Sequence, residues 1–353
     1  MSEISSILRD ALDAGASDVH ITVGIPPKMR VNGELVTMDR YPRLMPKDTM
    51  EIMTQIMNEV QRKAFKDRGE YDMSFSIPDV SRFRLNAYMQ RGSVALAIRL
   101  VGLDIPTPDL LGIPQPVMDL YDNKRGLVLV TGPTGSGKST TLAAIVDRIN
   151  RELNDHVITL EDPIEYLHRH DRSIIDQREI GLDSHSYVNA LRAALREDPD
   201  VIMVGEMRDI ETMSTALTAA ETGHLVLSTL HTIGSANAVD RIIDFFPPEQ
   251  QHQIRIQLAG VLEAVISQQL IPTADGHGRV AAFEVLKANP AVRNIIREGK
   301  THQLTGIMQT SGNDMITMDD AIRNLFNQGK ITREAAIESA QDENTMRTRL
   351  GGM

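Results

Sequence analysis

Apolar residues recur along this chain in two rhythms, and the change between them divides it. In the first hundred residues the stretches are short and amphipathic. Ile4, Ile7, Leu8, Ala11 and Leu12 recur at helical spacing, which predicts a helix over 5–14. Residues 18–23 and 28–31 read as short strands around Pro26 and Pro27, with a hairpin turn at Asn32-Gly33. Residues 49–65 read as one helix with Ile52, Ile56, Met57 and Val60 on one face, and with Met50, Met53 and Met57 as adaptable core. Residues 82–88 and 93–101 alternate or run apolar, as strands do. Together these predict a small α+β domain over 1–100. Pro106, Pro108, Pro114 and Pro116 then break the periodicity on both sides, and 101–124 reads as a linker.

Beyond the linker the pattern changes. Residues 126–130 form a continuous apolar run, and 156–160, 201–204 and 225–229 are further short, mainly apolar runs, alternating with helical patterns. One helix begins near Gly137 with Leu142, Ile145, Val146 and Ile149 on a single face. Apolar runs separated by helices predict a mostly parallel sheet buried on both faces, an α/β core over 125–286. From 287 to 353 the pattern is helical and increasingly polar. A chain of 353 residues suits about two domains. With 41% hydrophobic residues it can bury a core in each.

Composition narrows the partners. The absence of cysteine excludes a disulfide scaffold and a thiolate zinc site. A net charge of −11 argues against nucleic acid as partner. No apolar run reaches the roughly 18–20 residues that span a bilayer, and residues 1–10 lack the basic-then-apolar order of a secretory signal. The expectation is a cytoplasmic protein with no direct membrane insertion.

The strongest chemical signal is Gly132-Pro133-Thr134-Gly135-Ser136-Gly137-Lys138-Ser139-Thr140, a complete G-x-x-x-x-G-K-[ST] pattern. At average composition it arises by chance in about one chain in a hundred of this size. Here it also follows an apolar strand and opens an amphipathic helix, as a phosphate loop must. Its glycines let backbone N–H groups converge on phosphate oxygens, and the helix N-terminus adds its positive end. Lys138 is expected on the β- and γ-phosphates of ATP, and Ser139 on Mg²⁺.

Three further blocks follow apolar runs. Val201–Val204 leads into Gly205-Glu206, where a carboxylate can orient the attacking water. The run 156–160 leads into Glu161, Asp162 and Glu165, acids that can reach Mg²⁺ or its waters; the residues alone do not choose among them. A turn cap at Asp162 before Pro163 is the structural alternative. The run 225–229 leads into His231, an imidazole able to donate to a γ-phosphate; His224 is a further candidate for nucleotide contact, though it precedes the same run and points from the opposite end unless the chain turns. Arg192 and Arg196 sit at i, i+4 of a helix predicted over 187–196 and share a face, as a phosphate-binding pair or a merely solvated one. Arg84 and Arg99 lie on predicted strands, where phosphate contacts would give charges a purpose.

In this order the four blocks resemble the secretion ATPases of type II secretion and type IV pilus systems, whose signature stretch matches Leu195–Asp200 and Gly205–Asp209. The likeness runs from Ala16-Ser17-Asp18-Val19-His20 to Ile331-Thr332-Arg333-Glu334, nearly the whole chain. It implies a RecA-like P-loop ATPase domain, a smaller PAS-like α+β domain before it and helices after it. It implies a homohexamer that uses ATP and Mg²⁺, with Arg84 and Arg99 on nucleotide phosphates. Extension and secretion members usually add a four-cysteine zinc module and a further N-terminal domain, so their absence here points to the branch that retracts type IV pili. That branch acts on the inner-membrane pilus platform. Residues 291–298 resemble its AIRNLI motif, with Val for Ile and Ile for Leu. The resemblance implies a helix that couples hydrolysis to retraction without touching nucleotide, with Arg293 and Asn294 needed for retraction but not for ATPase activity or ring assembly; an ordinary packed helix is the structural alternative. An accessory retraction paralogue, a RecA-like nucleic-acid translocase and a non-hydrolysing nucleotide-dependent protein are the other readings.

Overall fold

In a computed structural model of the chain, residues 3–31, 33–77, 80–101 and 105–351 are described. The chain divides into two units, Met1–Asp104 with Glu165–Leu167, and Ile105–Ile164 with His168–Met353.

The first unit contains α1 (Glu3–Asp13), β1 (Asp18–Ile21), β2 (Lys28–Val31), β3 (Glu34–Thr37), α2 (Pro46–Ile56), α3 (Glu59–Arg68), β4 (Glu70–Ile77), β5 (Ser81–Gln90) and β6 (Ser93–Val101). The strands form one antiparallel sheet in the order β3-β2-β1-β6-β5-β4. Val19, Ile21, Phe83, Leu85, Leu96 and Ile98 fill one face against Ile7 and Leu8 of α1 and Ile52 and Met53 of α2. β2 and β3 do pair as a hairpin, although Asn32 of the expected turn lies outside the described residues.

The helix expected over 49–65 is two helices. Asn58 stops the first and caps the second. Its Oδ1 accepts from the Gln61 amide and its own amide donates to Gln61 Oε1, both at 2.9 Å. The break turns Val60 out to 78% exposure, while Met53 and Met57 stay in the core and Met50 does not.

The sheet's other face is polar. Register sets Asp18, Arg99 and Arg84 side by side across β1, β6 and β5. Two arginines directly opposite repel. Asp18 offsets this by accepting from Arg99 Nε at 3.0 Å. Burial alone would raise the Asp18 pKa, but the Ser17 hydroxyl and Arg99 outweigh it and hold the carboxyl below its ordinary value.

The second unit holds α4 (Pro108–Leu111), α5 (Gln115–Met118), β7 (Gly126–Thr131), α6 (Lys138–Glu152), β8 (His156–Glu161), β9 (Ile174–Glu179), α7 (Tyr187–Ala194), β10 (Val201–Val204), α8 (Ile210–Glu221), β11 (Leu225–Leu230), α9 (Ser235–Asp244), α10 (Pro248–Val261), β12 (Leu262–Pro272), β13 (Arg279–Lys287), α11 (Pro290–Glu298), α12 (Leu304–Thr310), α13 (Met318–Asn327), α14 (Arg333–Ser339) and α15 (Glu343–Gly351). The strand order is β13-β12-β7-β11-β10-β8-β9, parallel except for β13. Both faces are covered. Leu127 and Leu129 of β7 enter one core, and Val128 and Val130 enter the other. This is the mostly parallel, doubly covered α/β sheet that the apolar runs predict. Residues 113–120, read as linker, contribute Ile113, Val117, Met118 and Leu120 to the second of these cores.

The AIRNLI-like stretch is α11, capped by the Asn289 side chain on the Val292 amide at 2.9 Å. Val292, Ile295 and Ile296 are buried as the spacing implies. Arg293 is bonded into the fold. Its guanidinium donates to the Ala259 and Gly260 carbonyls at 2.8 and 2.9 Å and to Glu263 Oε1 at 2.9 Å, closing the C-terminus of α10.

His168 gives a pH test of this unit. Its amide donates to Gln177 Oε1, while ring Nδ1 is buried with no hydrogen-bond partner. Burial pushes the imidazole down from 6.5 to about 4. The fold therefore favours the neutral ring, a contribution complete above pH 6.5 and lost as pH falls toward about 4. Relative to His168→Leu, the wild type is expected to lose about 3 kcal/mol of stability between pH 7 and pH 4, measured by urea unfolding. A difference between the two proteins that does not change with pH would refute this.

Candidate nucleotide site

Because β7, β8, β10, β11 and β12 run parallel, the loops after them open on one edge of the sheet. At that edge β7 ends at Thr131, the chain curls through Gly132–Gly137, and α6 begins at Lys138. Two glycines are required by contact as well as by torsion. Gly132 has φ +139° and Gly137 φ +90°. A Cβ on Gly132 would collide with the Gln268 carbonyl, and one on Gly137 would stand 2.9 Å from Gln268 Nε2. Gln268 comes from β12, a strand the apolar rhythm did not single out. It is 4% exposed, and its Oε1 accepts from the Thr141 hydroxyl of α6 at 2.7 Å. It forms the floor of the loop. The trace it leaves in the sequence is a pair of glutamines inside the mainly apolar stretch 264–271.

Lys138 is buried, with Nζ donating to the Gly132 and Pro133 carbonyls at 2.9 and 3.0 Å. The ammonium therefore sits inside the curl. The Ser136 and Thr131 hydroxyls are buried there without hydrogen-bond partners. Orphan hydroxyls of this kind mark places for a polar ligand or ordered water. Pro133, Thr134 and Gly135 form the exposed lip, and Ser139 and Thr140 lie half-buried on the first turn of α6. A glycine cradle, an enclosed cation, unpartnered hydroxyls and the positive end of a helix dipole together fit a polyphosphate.

Glu206 follows β10 on the same edge. The Thr229 and Ser228 hydroxyls of β11 donate to the Gly205 and Val204 carbonyls at 2.5 and 2.7 Å and hold the strand end. The Glu206 side chain is 12% exposed. Arg208 Nη2 reaches Oε1 at 2.6 Å, and His231 Nε2 lies 3.3 Å from Oε2. The structure thus brings Glu206 and His231 together. Arg208 and Tyr187 were not anticipated. Burial raises the pKa of the Tyr187 phenol, and the nearby carboxylates of Glu206, Asp162 and Glu161 raise it further.

The remaining residues fall in several places. Glu161 is buried, and its Oε1 accepts from the Thr159 hydroxyl at 2.6 Å and Gln177 Nε2 at 3.1 Å. Asp162 is exposed just past β8, and Glu165 groups with the first unit. Among the described residues, no three His, Cys, Asp or Glu side chains are gathered as a metal cage. His224 immediately precedes β11 at the opposite edge of the sheet. There its carbonyl accepts from the Gly126 amide and its ring Nδ1 lies 3.0 Å from the Ala219 carbonyl. Within one chain His224 therefore stands away from the phosphate loop, since a residue before a parallel strand opens on the far edge. The shared face for Arg192 and Arg196 is corrected. α7 ends at Ala194, leaving Arg196 beyond it, while Arg192 pairs with Glu211 beside Arg208 in a cleft of about 720 Å³. Arg84 and Arg99 are exposed on the polar face of the first unit.

Known proteins resemble the chain over nearly its whole length. The pattern of the family described as Type II/IV secretion system protein matches residues 1–349. The chain is 45% identical to the type IV pilus retraction ATPase PilT of Pseudomonas aeruginosa, over 96% of this chain and 98% of that one. It is 43% identical to the type IV pilus ATPase PilU of the same organism, over 98% and 90%. A crystal structure of the pilus retraction motor PilT with bound ADP superimposes with a TM-score of 0.91 at 48% identity, over 98% and 99% of the two chains.

Proposed function

We propose that this chain, which belongs to the Type II/IV secretion system protein family, hydrolyses ATP within a homohexameric ring and drives retraction of type IV pili. The observation that carries the reading is the meeting of a glycine cradle around Lys138 with Glu206 and His231 on one sheet edge. The near-complete likeness to a retraction ATPase gives that chemistry its task.

In this reading the backbone amides of Gly132, Thr134, Gly135, Ser136, Gly137 and Thr140 line the phosphate pocket, Pro133, which has no N–H, shapes the curl and accepts from Lys138 through its carbonyl, and Lys138 neutralises the β- and γ-phosphates. Ser139 would offer its hydroxyl to Mg²⁺, and Glu161, Asp162 or Glu165 would meet its water shell. Mg²⁺ keeps several waters and needs only one or two carboxylates beside phosphate oxygens, so no cage is required. Glu206 orients the attacking water, and His231 donates toward the γ-phosphate. Arg84 and Arg99 are exposed cations suited to nucleotide phosphates at a subunit boundary. Among the described residues no helix is long and apolar enough to cross a membrane. The ring then stands on the cytoplasmic side and passes its motion to an inner-membrane platform protein of the pilus.

The accessory-paralogue reading has its own support in the 43% identity to PilU. A nucleic-acid translocase has less, given the charge of −11. Deleting the gene decides between directions of work. Loss of twitching with an excess of surface pili is the expected result, loss of pili would mean extension, and unchanged motility would overturn the retraction role.

A further inference from the structure

Glu284 lies within β13, paired with Ser267 of β12, and is 4% exposed. Burying a carboxylate is unfavourable unless donors surround it. Three donors do. The Ser235 amide reaches Oε1 at 2.6 Å, and the Met318 amide and Gln341 Nε2 each reach Oε2 at 3.3 Å. Ser235 is the first residue of α9 and Met318 the first of α13. Amides at those positions have no partner within their own helices, and both helix dipoles present their positive ends there.

The two helices belong to different parts of the unit. Only Thr232, Ile233 and Gly234 separate His231 from Ser235. The Gly234 amide donates to Ser267 Oγ at 2.9 Å in a buried bond. Two consecutive amides at the end of the His231 loop are therefore pinned to two residues that face each other across β12 and β13. Ser267 immediately precedes Gln268, the floor of the phosphate loop. On the other side, the Gln341 amide donates to Asp319 Oδ1 of α13 at 2.8 Å, so Glu284 meets an already braced corner of the C-terminal helices.

We propose that Glu284 is a positioning residue whose carboxylate sets the His231 loop and ties it to the first turn of α13, so that the phosphate end of the site and the C-terminal helices shift together. This rests on the hydrolysis reading above for its catalytic consequence, though not for the tie itself.

The test is Glu284→Gln in the full-length chain. The amide keeps the shape but turns one acceptor into a donor facing another donor. The expected result is a fall of about tenfold in kcat with ATP KM and ADP affinity within about twofold. Amide hydrogen exchange should speed up in the first turns of α9 and α13 together. Ser267→Ala, which frees only the Gly234 amide, should lower kcat and speed exchange at the start of α9 alone. Gln341→Ala, which loosens Oε2, should speed exchange at Met318 and also at Ser235, and it carries the test should Glu284→Gln fail to fold. Equal loss of binding and kcat, or loosening of one helix start without the other in Glu284→Gln or Gln341→Ala, would overturn the proposal. A wild-type chain without ATP turnover would remove the hydrolysis reading, while the exchange data still decide the tie.

Discussion

Lys138→Ala is expected to abolish ATP turnover and to weaken nucleotide binding strongly. The side chain enters the curl of the loop, where its ammonium is held by the Gly132 and Pro133 carbonyls. With nucleotide present that charge faces the β- and γ-phosphates, where negative charge shifts during transfer. Losing one pre-aimed donor to such charge costs about 10²–10³ in kcat, and losing a full cation costs at least as much. Binding falls as well, because a ground-state phosphate contact goes with it and the two carbonyls lose their donor. Phosphate release and calorimetric titration with ADP measure the two effects separately. The sheet does not depend on the loop, so the melting temperature should stay near that of the wild type. Turnover at the wild-type rate would sink the phosphate-loop reading.

Glu206→Gln is expected to give a protein that binds ATP and does not cleave it. The amide fills the same space but cannot take a proton from, or align as strongly, the attacking water, a loss of about 10²–10³ in kcat with KM little changed. The ion pair with Arg208 disappears too. Arg208 is 71% exposed and can return to water, so the fold should lose little. Trapped ATP after rapid gel filtration, set against single-turnover rates, distinguishes the outcomes. Binding and turnover that fall in proportion would make Glu206 a ligand or a structural residue.

Much of the site was legible because its parts lie where single elements end. The glycine loop, Glu206, Glu161 and His231 each follow a mainly apolar run, and parallel strands put the ends of such runs on one edge. The same rule, applied with strand direction, sends His224 to the other edge. Local signals were read less well where a polar residue interrupts an apolar period. Asn58 caps a helix inside what scans as one helix, because a capping box outweighs a period-3.6 face continued by Val60. α7 stops before Arg196, so spacing alone overstated what Arg192 and Arg196 share. Arg293 scans as a surface residue of α11, yet the carbonyls it closes belong to α10, more than thirty residues earlier.

By itself, then, the chain's pattern determined the α/β class, the phosphate loop and the strand-end acids, because each depends on neighbours within a few residues. Tertiary structure alone decided what supports them. Gln268 under the loop, Tyr187 among the acids, Arg208 on Glu206 and Glu284 between two helix starts are joined by strand register and by packing between elements distant in sequence. A buried polar side chain is stable only where its partners converge, and that convergence exists only once the sheet has set its strand order.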